Sequence, residues 1–185
     1  MLYTTQYSSP LGPILLASDG DNLVGLWLEG QKYFGGTVAE ERVPRDDLPV
    51  FAMVREWLDE YFAGGKPDIA RLPLAPRGSA FRRAVWALLC EIPYGTTTTY
   101  GELARIIAAH TGRTGRTGKA GMSGQAVGGA VGHNPISIVI PCHRVVGADG
   151  SLTGYAGGLE KKIRLLELEG ADMARLYVPT KGTAL

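Results

Sequence analysis

The sequence predicts an α/β N-terminal domain followed by a mainly helical C-terminal domain that carries a helix-turn-helix. Three observations lead there. Short runs of strand formers and a turn fill the first thirty residues. An amphipathic helical pattern follows them. Beyond residue 79 come several short segments, each opened by a serine or threonine suited to capping a helix. The expected boundaries are 1–76 for the first domain, 79–171 for the second and 172–185 for a tail.

Leu2–Tyr7, Gly12–Ser18 and Leu23–Leu28 read as strands. Asp19-Gly20-Asp21-Asn22 supplies turn chemistry between the last two, so a hairpin is expected there. Residues 30–47 mix glycines and charges and read as loop. Over Val50–Phe62, Phe51, Val54, Trp57, Leu58 and Tyr61 recur at helical spacing, and Gly64-Gly65 ends that helix. The proline-rich stretch 67–78 reads as an extended connection, with one further strand at Ile69–Leu74. Ser79 is placed to cap a helix running to Cys90, and Thr98 or Thr99 to cap Tyr100–Ala109. Ser123 is placed to cap Gly124–Val131. The last two form the candidate helix-turn-helix, with a loop longer than the usual three or four residues.

Ala126-Val127-Gly128-Gly129-Ala130 is unusual for a helix. Glycine costs about 1 kcal/mol relative to alanine in a helix interior. Two readings explain the pair: close approach of the backbone to another surface, or tight packing against the protein itself.

The net charge is +1, which by itself announces no nucleic-acid partner. Arg105, Arg113, Arg116 and Lys119 nevertheless lie in one stretch without an acid between them: a solvated loop or a basic patch. No apolar run approaches the roughly 20 residues of a membrane span. The N-terminus lacks a basic segment followed by an apolar core, so a cytoplasmic, nucleoid-associated location is expected. Two cysteines, Cys90 and Cys142, argue against a disulfide scaffold and against a zinc ribbon.

Chemistry concentrates after Ile136–Ile140, an apolar run that reads as a short buried strand. It leads into Pro141-Cys142-His143-Arg144-Val145. Basic neighbours lower a thiol pKa and raise the thiolate fraction, so Cys142 is the candidate nucleophile. Cys90 follows Leu88-Leu89 without a basic neighbour and reads as a small core residue. Glu169 ends the last predicted helix, Leu159–Leu168, where an acid is unfavourable. Packed beside the strand it holds one nitrogen of His143, leaving the other to take the thiol proton; alternatively it is simply exposed. Asn134 serves either as a turn residue or as a hydrogen-bond partner of the active-site turn.

These residues resemble the methylated-DNA–protein-cysteine methyltransferases, also called O6-alkylguanine-DNA alkyltransferases. Pro141-Cys142-His143-Arg144-Val145 is similar to their active-site signature. Ile92-Pro93-Tyr94-Gly95, Thr99-Tyr100, Ala126-Val127-Gly128-Gly129-Ala130, Asn134-Pro135, Gly154-Tyr155-Ala156-Gly157-Gly158, Leu165-Leu166 and Glu169-Gly170 follow the family's order and spacing. The resemblance implies a ribonuclease H-like N-terminal domain and irreversible transfer of an alkyl group from O6-alkylguanine, and by extension O4-alkylthymine, to Cys142. It implies that His143 acts through a water as base, that Glu169 orients it, and that Asn134 braces the turn. Tyr100 would donate toward guanine N3 and help rotate the nucleotide out. The carbonyls of Cys142 and Val145 would accept from the exocyclic amine. The Ala156 N–H would face O6, and Tyr155 would wall the pocket.

Gln125, Ala126, Gly128 and Gly129, with Arg82 and Ala148, would contact DNA through the minor groove. Gln125 stands where the family often has an arginine, and the loop from His110 to Ala120 is longer than usual. The implied partner is double-stranded DNA containing O6-alkylguanine, met by a monomer with no cofactor, no metal and no membrane. Ser137, expected near the pocket, would leave room for bulkier adducts. Three other readings compete: a damage sensor without transfer, against which Cys142 argues; a helix-turn-helix regulator, for which a second DNA-binding region is missing; and a cysteine hydrolase, which sequence adjacency of Cys and His does not establish.

Overall fold

Strand formers set the first three elements: β1 (Leu2–Ser9), β2 (Gly12–Ser18) and β3 (Leu23–Leu28). β1 and β2 pair antiparallel, as do β2 and β3. The carboxylate of Asp19 closes the β2–β3 turn by accepting from the N–H groups of Asp21 (3.1 Å) and Asn22 (2.8 Å). The computed structural model describes residues 1–36, 40–111 and 123–180. It divides into two units, Met1–Gly78 with Pro135–Ile140, and Ser79–Asn134 with Pro141–Leu185.

In the first unit a fourth strand, β4 (Arg42–Pro44), lies parallel to β1 and gives the order β3-β2-β1-β4. It falls in the stretch that reads as loop, because three residues are too few to show a period. Every residue of β3 is buried. Helix α1 (Pro49–Phe62) buries Val50, Phe51, Val54, Trp57, Leu58 and Tyr61, and begins with Pro49, whose fixed φ suits a first helical position. Ile69–Arg71 is a 3₁₀ turn capped by Asp68, where a strand is expected; only Leu74 reaches the sheet, bridging to Leu23. A Cβ on Gly25 would lie 2.0 Å from the buried ring of Trp27. Gly25→Ala is therefore expected to lower stability by about 1–3 kcal/mol, read from the denaturant midpoint.

Residues 136–140 are not a strand. Ile136 makes one bridge to Leu26. The chain then turns sharply: the Val139 N–H donates to the Ser137 carbonyl at 2.8 Å around Ile138, whose φ is +70°. A β-branched residue in that region is strained, at a cost of about 1–3 kcal/mol. The apolar run signals burial correctly, but burial rather than pairing is what it encodes. Ser137 is buried here, and its hydroxyl donates to Gln31 Oε1 at 3.1 Å.

The second unit opens with α2 (Ala80–Cys90), whose Ser79 cap accepts from the Arg82 N–H at 3.3 Å. A short strand β5 (Thr98–Thr99) leads directly into α3 (Tyr100–Thr111). The Thr99 hydroxyl accepts from the Glu102 N–H at 3.1 Å and caps that helix. Helix α4 (Gly124–Gly132) is capped by Ser123, which accepts from the Ala126 N–H at 3.1 Å. The buried indole of Trp86 ties α2 to α4 by donating to the Ala130 carbonyl at 2.8 Å. Helices α3 and α4 are the helix-turn-helix pair. Their connection lies outside the described residues, and with it Arg113, Arg116 and Lys119. Strand β6 (Val145–Val146) pairs parallel with β5, and α5 (Leu159–Leu168) follows. Among the described residues, no helix is long and apolar enough to cross a membrane.

Candidate active site

Within the second unit, Cys142–Arg144 forms a single 3₁₀ turn leading into β6. The pairing of Thr98 with Val145 and Thr99 with Val146 sets the start of α3, and so Tyr100, beside the chain that leaves this turn. Cys142 is buried, and its Sγ accepts from Asn134 Nδ2 at 3.1 Å. His143 is fully buried, with Nε2 2.6 Å from Glu169 Oε1. Its Nδ1 has no hydrogen-bond partner among the described residues.

Glu169 sits at the C-terminal end of α5 with its carboxylate buried. Arg144 grips it with both arms of its fork: Nε donates to Oε2 at 2.8 Å and Nη2 to Oε1 at 3.0 Å. The third nitrogen, Nη1, donates to the Ile92 carbonyl at 2.6 Å. The Gly95 N–H adds a contact to Oε2 at 3.3 Å. An acid at a helix C-terminus is thus held by donors.

Protonation follows from these contacts. Burial alone pushes the Glu169 carboxyl up, but the hydrogen bonds it accepts from His143 and Arg144, with the charge of Arg144, outweigh it and hold the pKa well below the ordinary carboxylate range. Burial lowers the His143 pKa below its usual 6.5, against the pull of Glu169. A neutral imidazole beside a carboxylate donates its Nε2 proton to it, which leaves the lone pair on Nδ1.

The Cys142 thiol is pushed above its ordinary value by burial, opposed by the Asn134 hydrogen bond and the charge of Lys162. This corrects the expectation that His143 and Arg144 lower it. The Arg144 guanidinium is bound to Glu169, and the imidazole is neutral, so neither supplies a free positive charge. Arg144 instead acts electrostatically on Cys90, which does have a basic neighbour, and burial still raises that thiol.

The sequence reading missed Lys162. It is completely buried in α5, and its ammonium donates to the Val145 carbonyl and, at 2.8 Å, to the Thr153 carbonyl. Burial lowers its pKa to about 8, while Cys142 acts in the opposite direction. A signal existed. Lys162, Leu165, Leu166 and Glu169 fall at i, i+3, i+4 and i+7, one face of a helix, so the lysine shares the buried stripe.

The other candidate residues lie around this centre, on α4, in the first turn of α2 and just after β6. The Tyr100 hydroxyl donates to the Thr153 carbonyl at 3.0 Å, with the Gly154 carbonyl at 3.4 Å. A Cβ on Gly154 would come within 2.7 Å of that hydroxyl, and its φ is +72°, so the close approach needs glycine. Tyr155 is buried, its ring edge-on to His143 at 6.3 Å between centroids, and its hydroxyl is unpaired among the described residues. Ala156 is half-buried in the same loop. The Val145 carbonyl already accepts from Lys162, and the Cys142 carbonyl accepts from the Val145 N–H.

Gln125, Ala126 and Gly129 are exposed on α4, while Gly128 is half-buried. A Cβ on Gly129 would meet nothing within 4 Å. Internal packing therefore does not require that glycine. Arg82 is half-buried in the first turn of α2, and Ala148 is exposed after β6. Among the described residues no group of three or more His, Cys, Asp or Glu is arranged to hold a metal ion.

Comparison with known proteins gives one consistent family. Residues 1–76 match the model for the 6-O-methylguanine DNA methyltransferase ribonuclease-like domain. Residues 80–171 match the model for the DNA binding domain of the same proteins. The methylated-DNA–protein-cysteine methyltransferase of Haemophilus influenzae is 45% identical over 168 residues, covering 91% of this chain and 86% of that protein. The protein of that name from Methanosarcina acetivorans is 42% identical, covering 92% and 99%. The crystal structure of Mycobacterium tuberculosis OGT in complex with DNA aligns with a TM-score of 0.76 at 38% identity, covering 94% of each chain. With both domains matched in order and these identities across nine-tenths of its length, the chain belongs to the 6-O-methylguanine DNA methyltransferase family.

Proposed function

We propose that this protein repairs alkylated DNA by direct reversal, moving the alkyl group from O6 of guanine in duplex DNA to Cys142 in one irreversible turnover. The observation that carries the reading is the buried chain Asn134–Cys142 and His143–Glu169, with His143 Nδ1 left as an acceptor that has no partner among the described residues. Nδ1 takes the thiol proton through a water, and the Asn134 amide and the Lys162 charge favour the thiolate that results. The thiolate attacks the alkyl carbon. A C–S bond forms, the C–O6 bond breaks, and its electron pair passes to the guanine.

That charge is met by donors. Tyr100 protonates or hydrogen-bonds guanine N3, and the Ala156 N–H faces O6. The carbonyls of Cys142 and Val145 accept from the exocyclic amine, and Tyr155 walls the pocket. A reacting atom inside a duplex is reached only when its nucleotide is turned out of the stack. Helix α4 enters the minor groove, where readout is degenerate and suits a protein that inspects any sequence. Its exposed Gln125, Ala126 and Gly129, together with Gly128, Arg82 and Ala148, form the DNA face. The protein acts as a monomer without a cofactor, in the cytoplasm at the nucleoid, and its substrates extend to O4-alkylthymine.

The test is a titration of protein against a duplex containing O6-methylguanine, following the appearance of unmodified guanine. Repair is expected to stop at one equivalent per protein. Continued turnover, or binding without repair, contradicts the proposal; the second result makes the protein a damage sensor.

Gly129 gives an effect of opposite sign on fold and function. Because its Cβ position is open, Gly129→Ala is expected to raise stability by about 0.5–1 kcal/mol through helix propensity. The same methyl group stands between α4 and the groove floor, so duplex affinity is expected to fall. Thermal melting and a duplex-binding titration check both halves.

A further inference from the structure

We propose that Met173–Val178, beyond the matched domain that ends at residue 171, is a strap that positions the loop 147–158, with Tyr177 as its positioning residue. This rests on the alkyl-transfer reading above, in which that loop carries Tyr155 and Ala156 to the substrate.

The loop leaves β6 at Gly147 and enters α5 after Gly158. Backbone polar groups of such a segment need partners outside a regular ladder. The strap supplies two of them. The Tyr177 N–H donates to the Gly150 carbonyl at 3.2 Å, and the Leu152 N–H donates to the Tyr177 carbonyl at 2.9 Å. Ser151 and Tyr177 thereby form a parallel bridge. The Tyr177 hydroxyl donates to the Asp149 carboxylate, which also accepts from the Ser151 N–H at 3.0 Å.

Contact is close enough to restrict the sequence. Gly150 has φ +88°, and a Cβ there would lie 2.2 Å from the Arg175 carbonyl oxygen. The strap is itself anchored. Asp172 caps its first turn by accepting from the Ala174 N–H at 3.1 Å. Met173 and Leu176 pack on a buried cluster of Val146, Leu152, Leu166 and Ala171.

Position in the loop gives this anchoring its consequence. The strap fixes residues 150 and 152, and the next carbonyl, that of Thr153, is the one that Lys162 and Tyr100 both bond. Tyr155 and Ala156 follow two and three residues later. A displaced strap therefore releases one side of the segment that aims the pocket wall and the O6 donor. Small misplacements of such groups are costly, on the order of a hundredfold in rate per ångström.

The experiment compares the full-length parent with Gly150→Ala, Tyr177→Pro and Tyr177→Phe. Gly150→Ala drives a methyl group into the strap, Tyr177→Pro removes the N–H to Gly150, and Tyr177→Phe removes only the bond to Asp149. Single-turnover transfer is measured from a duplex containing O6-methylguanine and from an O6-alkylated guanine free base. Melting of each variant sets a temperature at which it is fully folded.

Gly150→Ala and Tyr177→Pro are expected to lower the saturating rate about 10–100-fold with both substrates, leaving the half-saturating duplex concentration within about twofold of the parent. Tyr177→Phe, which keeps every backbone bond of the strap, is expected to slow transfer about threefold. Parent rates in the folded variants overturn the proposal. So does a loss confined to the duplex, which would make the strap a DNA contact. The parent alone tests the underlying reading: if it transfers nothing from either substrate, alkyl transfer itself fails and the strap's role with it.

Discussion

A Glu169→Gln variant is expected to transfer alkyl groups about 10²–10³-fold more slowly than the parent and to lose about 3–5 kcal/mol of stability. Four groups donate to the carboxylate: His143 Nε2, Arg144 Nε and Nη2, and the Gly95 N–H. Glutamine has one oxygen to offer them, and its NH₂ must face donors on the other side. Arg144 then keeps a buried charge without its counter-charge. His143 loses the acceptor that fixes its tautomer, so Nδ1 is no longer reliably the unprotonated nitrogen.

Acidity gives a second readout of the same residue. The Glu169 pKa is depressed in the folded protein, so its stabilisation is fully present above the ordinary value of 4.5 and is lost as pH falls toward the folded value. The parent is expected to lose stability on acidification below pH 4.5 by an increment that Glu169→Gln lacks. Denaturant midpoints measured across that range test it.

Lys162→Met is expected to slow transfer about 10–100-fold and to move the pH dependence of the rate upward. The ammonium is the positive charge acting on the Cys142 thiolate, since Arg144 is occupied by Glu169. Its removal also leaves the Val145 and Thr153 carbonyls without their donor. Stability carries an independent sign. The folded pKa of about 8 lies below the ordinary 10.5, so the unfolded chain binds more protons between those values. Relative to the variant, the parent is expected to gain stability as pH rises from about 8 to 10.5, by an amount on the order of 3 kcal/mol. Paired denaturant titrations at pH 7 and pH 10 measure it; a flat difference contradicts the buried, charged assignment.

Local chemistry made much of the second unit legible. Ser79 and Ser123 cap helices because a hydroxyl there satisfies an orphan N–H, a rule that acts within four residues. The same holds for Asp19 at the β2–β3 turn. Glu169 stands out as an acid at a helix C-terminus, and the structure sets donors from His143, Arg144 and Gly95 around it. What failed depended on where long side chains point. Arg144 neighbours Cys142 in sequence, yet its guanidinium reaches back to Ile92 and Glu169, so proximity along the chain misjudged the thiol. Ile136–Ile140 reads as a strand because four of its five residues are apolar and β-branched, while the positive φ at Ile138 is a tertiary choice that propensity does not encode. Lys162 is hidden by its type: lysine is almost never buried, so a lysine on the α5 stripe reads as solvent-exposed.

The most direct measurement of the central claim is the mass of the intact protein after incubation with a duplex containing O6-methylguanine, with peptide mapping and a Cys142→Ala control. One methyl unit added per chain, located on Cys142 and absent from the control, is the predicted result. A methyl group on Cys90, or an unchanged mass while the duplex is repaired, would contradict the account.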